Sequence, residues 1–121
     1  MATLTVQTLT IAGLISSTLA TASTGDGFAN DGSTFLLFVN GNASSRTFTA
    51  TVANATVNTP GYNPLTVASP TVTIPGSGTN GGVAIIGPFG PTEFNDSNGR
   101  CNYTLDTATG MTVAAVKMPR L

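Results

Sequence analysis

The sequence predicts a single all-β domain, a β-sandwich or jelly roll of about seven or eight short strands. Three observations carry that expectation. Threonine, serine and asparagine make up 41 of the 121 residues, and threonine, β-branched and polar, suits the solvent side of a strand. Helix formers are scarce, with one Gln, one Glu and one Lys. Fourteen glycines and seven prolines punctuate the chain, so no stretch of about 12 residues keeps a 3.6-residue apolar stripe. At this length one domain is expected, spanning residues 1–121, with no linker and no internal repeat.

Taken in order, Thr3–Ile11 pairs Leu4 with Val6 and then Leu9 with Ile11, and the one-residue phase slip between them suggests a β-bulge. Leu14–Ala22 faintly resembles a signal-peptide cleavage region. A signal needs a basic leading segment, however, and the first charged side chain is Asp26, so the segment is read as part of the fold. Phe35-Leu36-Leu37-Phe38-Val39 is apolar on both faces. It is either a central strand covered by the protein itself or a strand with one face against another subunit. Asn40-Gly41-Asn42-Ala43-Ser44-Ser45 reads as a hairpin connection to Arg46–Asn54. There Phe48, Ala50 and Val52 share one face, and Thr47, Thr49 and Thr51 the other.

Leu65–Ile74 holds two extended pieces broken by Pro70, which fits edge or bent strands. Pro75–Gly82 is a flexible loop, and Val83–Gly87 a short apolar strand. In Arg100–Asp106, Cys101, Tyr103 and Leu105 alternate with Asn102, Thr104 and Asp106. Past the turn Thr107-Ala108-Thr109-Gly110, Met111, Val113 and Ala115 alternate with Thr112, Ala114 and Val116. The two runs read as a C-terminal hairpin.

Charge is sparse, with nine Asp, Glu, Lys and Arg residues and a net charge of −1. Four basic residues cannot track a phosphate backbone, so nucleic acid is not an expected partner. No apolar run reaches the roughly 18 residues of a transmembrane helix, so no membrane partner is expected either. Without histidine and with one cysteine, His-based triads, Cys-His dyads and Cys/His zinc sites are excluded. An enzyme is not expected, nor a cofactor. Cys101 cannot form an intrachain disulfide and reads as a small buried hydrophobe.

Two loops hold acidic residues among turn formers. Gly25-Asp26-Gly27-Phe28-Ala29-Asn30-Asp31-Gly32 offers oxygen ligands for Ca²⁺, but its spacing is not that of an EF-hand and no Glu closes it. Asn95-Asp96-Ser97-Asn98-Gly99 lacks the downstream bidentate carboxylate in the same way. Turn and loop-capping roles are the favoured readings of Asp26, Asp31 and Asp96. Glu93 with Asp96 has no sugar cleft to serve as a glycosidase pair. Lys117 and Arg120 near the C-terminus read as a solvated tail, or as a tail that pairs with acidic groups on a partner. Few charges and a single lysine leave strand edges unprotected, which favours either a permanent oligomer or deposition onto a larger scaffold.

Phe28-Ala29-Asn30-Asp31-Gly32-Ser33-Thr34-Phe35-Leu36 runs into Val39-Asn40-Gly41-Asn42. Ile86-Gly87-Pro88-Phe89-Gly90-Pro91 and Phe94-Asn95-Asp96 follow, and Thr112-Val113-Ala114-Ala115-Val116-Lys117 comes near the end. With the opening Ala2-Thr3-Leu4-Thr5-Val6, this order of segments resembles the small all-β structural proteins of tailed bacteriophages, several of which are head decoration (cement) proteins. The resemblance implies a virion protein on the capsid surface, made in the host cytoplasm. It would trimerise or sit at capsomer junctions, with the major capsid protein and its own copies as partners. Phe35, Phe38, Ile86, Phe89 and Phe94 are then the expected contact residues, and residues 1–23 an extended arm along the shell. A tail, neck or fibre component, or a carbohydrate-binding sandwich with Tyr62 or Tyr103 in an aromatic platform, are the alternatives.

Overall fold

The computed structural model describes residues 3–10, 13, 19–57, 60–63 and 65–118. Among them twelve strand segments form: β1 Thr3–Leu4, β2 Val6–Thr8, β3 Ala20–Thr21, β4 Gly27–Ala29, β5 Thr34–Asn40 and β6 Arg46–Ala50, followed by β7 Thr56–Val57, β8 Leu65–Thr66, β9 Thr71–Ile74, β10 Val83–Ile86, β11 Arg100–Leu105 and β12 Met111–Lys117. That is more than the seven or eight expected, because several runs break into two-residue pieces where the chain changes partner. One short α-helix, α1 Pro91–Phe94, and a 3₁₀ turn at Asn80–Gly82 lie between them.

The strands build a β-sandwich. One sheet has the order β1-β4-β11-β6-β9, and the other β10-β5-β12-β2 with β3 also on β12. A separate ribbon pairs β7 with β8. Alternation decides which side chains meet between the sheets. Phe48 and Ala50 of β6, and Cys101, Tyr103 and Leu105 of β11, face Leu36 and Phe38 of β5 and Met111, Val113 and Ala115 of β12. The Phe38 ring lies 5.5 Å from both Phe48 and Tyr103, edge-on to each. Such contacts add about 0.5–1.5 kcal/mol per pair beyond area burial.

Three local expectations are corrected. The connection 40–45 is not a hairpin: β5 pairs β10 and β12, whereas β6 pairs β11 and β9, so the chain arches from one sheet to the other. Turn 107–110 likewise joins β11 of one sheet to β12 of the other. Near the start the described residues show a change of sheet in place of the expected bulge. β1 pairs β4 and β2 pairs β12, both in parallel, and the chain switches sheets at Thr5. Ile11 lies outside the described residues, as do residues 14–18 of the segment resembling a cleavage region. The described part of 1–23 contributes β1, β2 and β3 to the two sheets. Pro70 precedes β9, which is an edge strand as expected.

Asparagines tie the arches down. Asn40, fully buried, donates from Nδ2 to the carbonyls of Ser44 and Pro75 at 2.9 and 3.0 Å. Its Oδ1 accepts from the Asn42 backbone N–H and from Asn42 Nδ2. Asn42 Nδ2 also reaches the Thr109 carbonyl at 2.6 Å, so three loops meet at this end. At the other end of β5, Asn30 Nδ2 donates to Asn95 Oδ1 at 2.7 Å while Asn95 Nδ2 donates to the Asn30 carbonyl at 2.8 Å. Buried amides need such partners, and here they are supplied by residues distant in sequence.

Candidate interaction face

Directly paired residues in antiparallel strands share a face, so register assigns the outer surface of the second sheet. Leu36 and Phe38 point inward; Phe35, Leu37 and Val39 therefore point outward and are half-buried. On β10, Ile85 lies opposite Leu37 and Val83 opposite Val39. Both point outward, and they are 67% and 44% exposed. On β12, Ala114 pairs with Leu37, Val116 with Phe35, and Thr112 with Val39. Ala114 and Val116 are only 3% and 5% exposed, so the β12 rows are buried, and the open part of this face is the strip of β10 and β5, with no charged side chain in its rows. β10 is also an edge strand carrying no lysine, proline or other guard against pairing.

Of the expected contact residues, the structure brings only Phe35 to this face. Phe38, Ile86 and Phe89 are a correction. They are 0%, 8% and 4% exposed, because the β5 and β10 parity turns the first two inward and Phe89 inserts between Phe28, Phe48 and Phe94. Side chains filling the core cannot also meet a partner. Phe94, on α1, is half-buried against Phe89, with centroids 5.5 Å apart. Ile85 and Val83 were not singled out from sequence. The available signal was parity in Val83-Ala84-Ile85-Ile86, which cannot be resolved without knowing which residue faces the core.

The acidic loops are built as turns. Asp96 Oδ1 accepts the N–H groups of Asn98 and Arg100, and Oδ2 accepts Asn102 Nδ2 at 3.0 Å. The Asn102 amide above all, then those two N–H groups, hold its carboxyl below the usual aspartate range. Asp31 Oδ1 accepts the Ser33 N–H, and Oδ2 meets Lys117 Nζ at 2.7 Å. Lys117 therefore has an acidic partner within its own chain; Arg120 lies outside the described residues. Asp26 is fully buried and accepts the Ser23 N–H at 2.9 Å and the Tyr103 hydroxyl at 3.2 Å. Burial, followed by the Asp26 charge and hydrogen bond, pushes the Tyr103 phenol far above the ordinary tyrosine value. Cys101 is buried, and desolvation pushes its thiol up to about 12. Among the described residues no three of His, Cys, Asp and Glu gather to hold a metal ion. Nor is any helix among them long and apolar enough to cross a membrane.

No protein-family model, curated protein or solved structure matches the chain.

Proposed function

We propose that this chain is a structural protein of a bacteriophage particle, a decoration protein that binds the outer shell at capsomer junctions and stabilises it without catalysis. Its partners are the major capsid protein and further copies of itself, with a trimer as the favoured assembly. The observation that carries the reading is the uncharged outer strip of β10 and β5, with Ile85 67% exposed at its edge. Scattered apolar residues are normal on a monomer; a contiguous apolar sheet face ending in an unguarded edge strand favours burial against a partner. Sparse surface charge supports the same reading, since a free monomer with net charge −1 is prone to associate. The resemblance of the segment order to small phage structural proteins is the ground for proposing this particular assembly.

The mechanism is additive. Each copy contributes a modest apolar contact across a junction, and the symmetry of the shell multiplies it. A sandwich cross-tied at both ends by Asn40 and Asn30 suits that task, because a rigid module loses little conformational freedom on binding. The test is co-sedimentation with phage shells stripped of this chain. The wild-type protein is expected to rebind, and Ile85→Lys to fail while keeping an unchanged far-ultraviolet spectrum. Rebinding by Ile85→Lys at wild-type level would overturn the assignment of this face.

A further inference from the structure

An asparagine followed by glycine is where a chain most readily modifies itself, because the glycine nitrogen reaches the asparagine side-chain carbonyl with no Cβ in the way. This chain has three such pairs, Asn40-Gly41, Asn80-Gly81 and Asn98-Gly99. The fold treats them differently. Asn40 is fully buried, both ends of its amide are hydrogen-bonded, and the Gly41 N–H donates to the Gly110 carbonyl at 3.0 Å. Asn98 is exposed, but the Gly99 N–H donates to the Asp96 carbonyl at 3.1 Å, and Asp96 Oδ1 accepts the flanking N–H groups of Asn98 and Arg100. At the third pair these restraints are missing. Asn80 and Gly81 are both exposed. The bonds of the 3₁₀ turn run from the Gly82 N–H to the Thr79 carbonyl at 2.9 Å and from the Val83 N–H to the Asn80 carbonyl. They bypass the Gly81 N–H, which has no acceptor among the described residues, and the Asn80 amide has no partner there either. Asn80 also holds φ +49°. Left-handed backbone is disfavoured for a residue with a Cβ, so local preference does not oppose rotation of Asn80 out of it.

We propose that Asn80 is a self-modification site, converted in the folded protein to aspartate or isoaspartate through a cyclic imide with Gly81. The Gly81 nitrogen bonds to Asn80 Cγ, the Cγ–Nδ2 bond breaks, and the side-chain nitrogen leaves as ammonia with the hydrogen that Gly81 gives up. Water then opens the imide. Attack at one carbonyl leaves aspartate at position 80, and attack at the other leaves isoaspartate, in which the main chain runs through the side-chain carbon. Water is the only co-reactant. Each conversion adds one negative charge to a chain of net charge −1. The new carboxylate lies three residues ahead of Val83, where the uncharged strip of β10 and β5 begins. The isoaspartate form also lengthens the backbone by one carbon at the turn leading into β10.

The test follows the full folded chain through days of incubation in mildly alkaline buffer at physiological temperature. Aliquots are digested and fragmented in a mass spectrometer, and the starting aliquot corrects for conversion during digestion. A gain of one mass unit is expected at Asn80, faster than at Asn40 or Asn98 by about tenfold or more, since each of those must first release a hydrogen bond at its glycine N–H. In guanidinium chloride the restraints are gone, and the three positions are expected to convert at similar rates. Asn80→Gln, whose longer side chain would have to close a larger ring, is expected to lose most of the acidic species that accumulates on ion exchange. Conversion in the folded chain at Asn40 or Asn98 as fast as at Asn80 overturns the proposal. So does an unchanged Asn80 in the folded chain over a period in which the unfolded chain converts.

Discussion

The Tyr103 hydroxyl donates to Asp26 Oδ2 at 3.2 Å between two residues that are both fully buried, 77 positions apart in the chain. The backbone closes the same contact, with the Tyr103 N–H donating to the Asp26 carbonyl at 3.0 Å. A carboxylate inside an apolar sandwich is tolerated only with such donors, so this pair fixes the segment before β4 against β11.

Tyr103→Phe removes one donor and leaves the carboxylate buried. The variant is expected to lose about 1–3 kcal/mol, read as a lower midpoint in urea unfolding with an unchanged slope. Folding raises the Tyr103 phenol, so the folded chain keeps a proton that the unfolded chain has released. Stability therefore falls as pH rises above about 10, and Tyr103→Phe flattens that fall.

Cys101 is expected to resist thiol reagents in the native state and to react on unfolding, because the thiolate is the reactive form. Its raised pKa has the same sign of linkage: stability declines as pH climbs from about 9 towards about 12. Thiol labelling across a urea gradient checks this, with labelling expected to follow the global transition. Rapid labelling without denaturant would contradict the burial.

Asp96 behaves oppositely. Its lowered carboxyl keeps its charge where the unfolded chain has taken up a proton, so its contribution is present above about 4 and disappears as pH falls through the folded-state value. The carboxyl carbon is expected to titrate in NMR below the ordinary aspartate midpoint. Asn102→Ala, which removes the largest cause, moves that midpoint upward.

Gly82 has φ +72°, and a Cβ there would collide with the Asn40 carbonyl oxygen. Gly82→Ala combines left-handed strain with that collision and is expected to destabilise by about 1–3 kcal/mol. Gly78, with open space around its Cβ position, is the control and is expected to accept alanine with little change. Thermal unfolding of the two variants separates them.

Much of the strand content was legible because burial and alternation coincide. Arg46–Ala50 and Arg100–Leu105 place Phe48, Cys101 and Tyr103 inward as their spacing demands. Partner choice was not legible. Asn40-Gly41 and Thr109-Gly110 carry hairpin chemistry, yet the same turn residues serve an arch between sheets. The deciding contacts, Asn40 to Pro75 and Asn42 to Thr109, span 35 and 67 positions. The interaction face was half legible for a similar reason: Phe35–Val39 is apolar at every position, and only the register with β10 separates Phe35 from Phe38.

The proposed role makes this chain a repeated component of a phage shell. Quantitative mass spectrometry of purified particles, counting copies of this chain per major shell subunit, tests it most directly. A ratio near one, or a simple fraction of it, is the expected result. Absence from the particles, or a trace ratio that fits a tail or neck component, would contradict it.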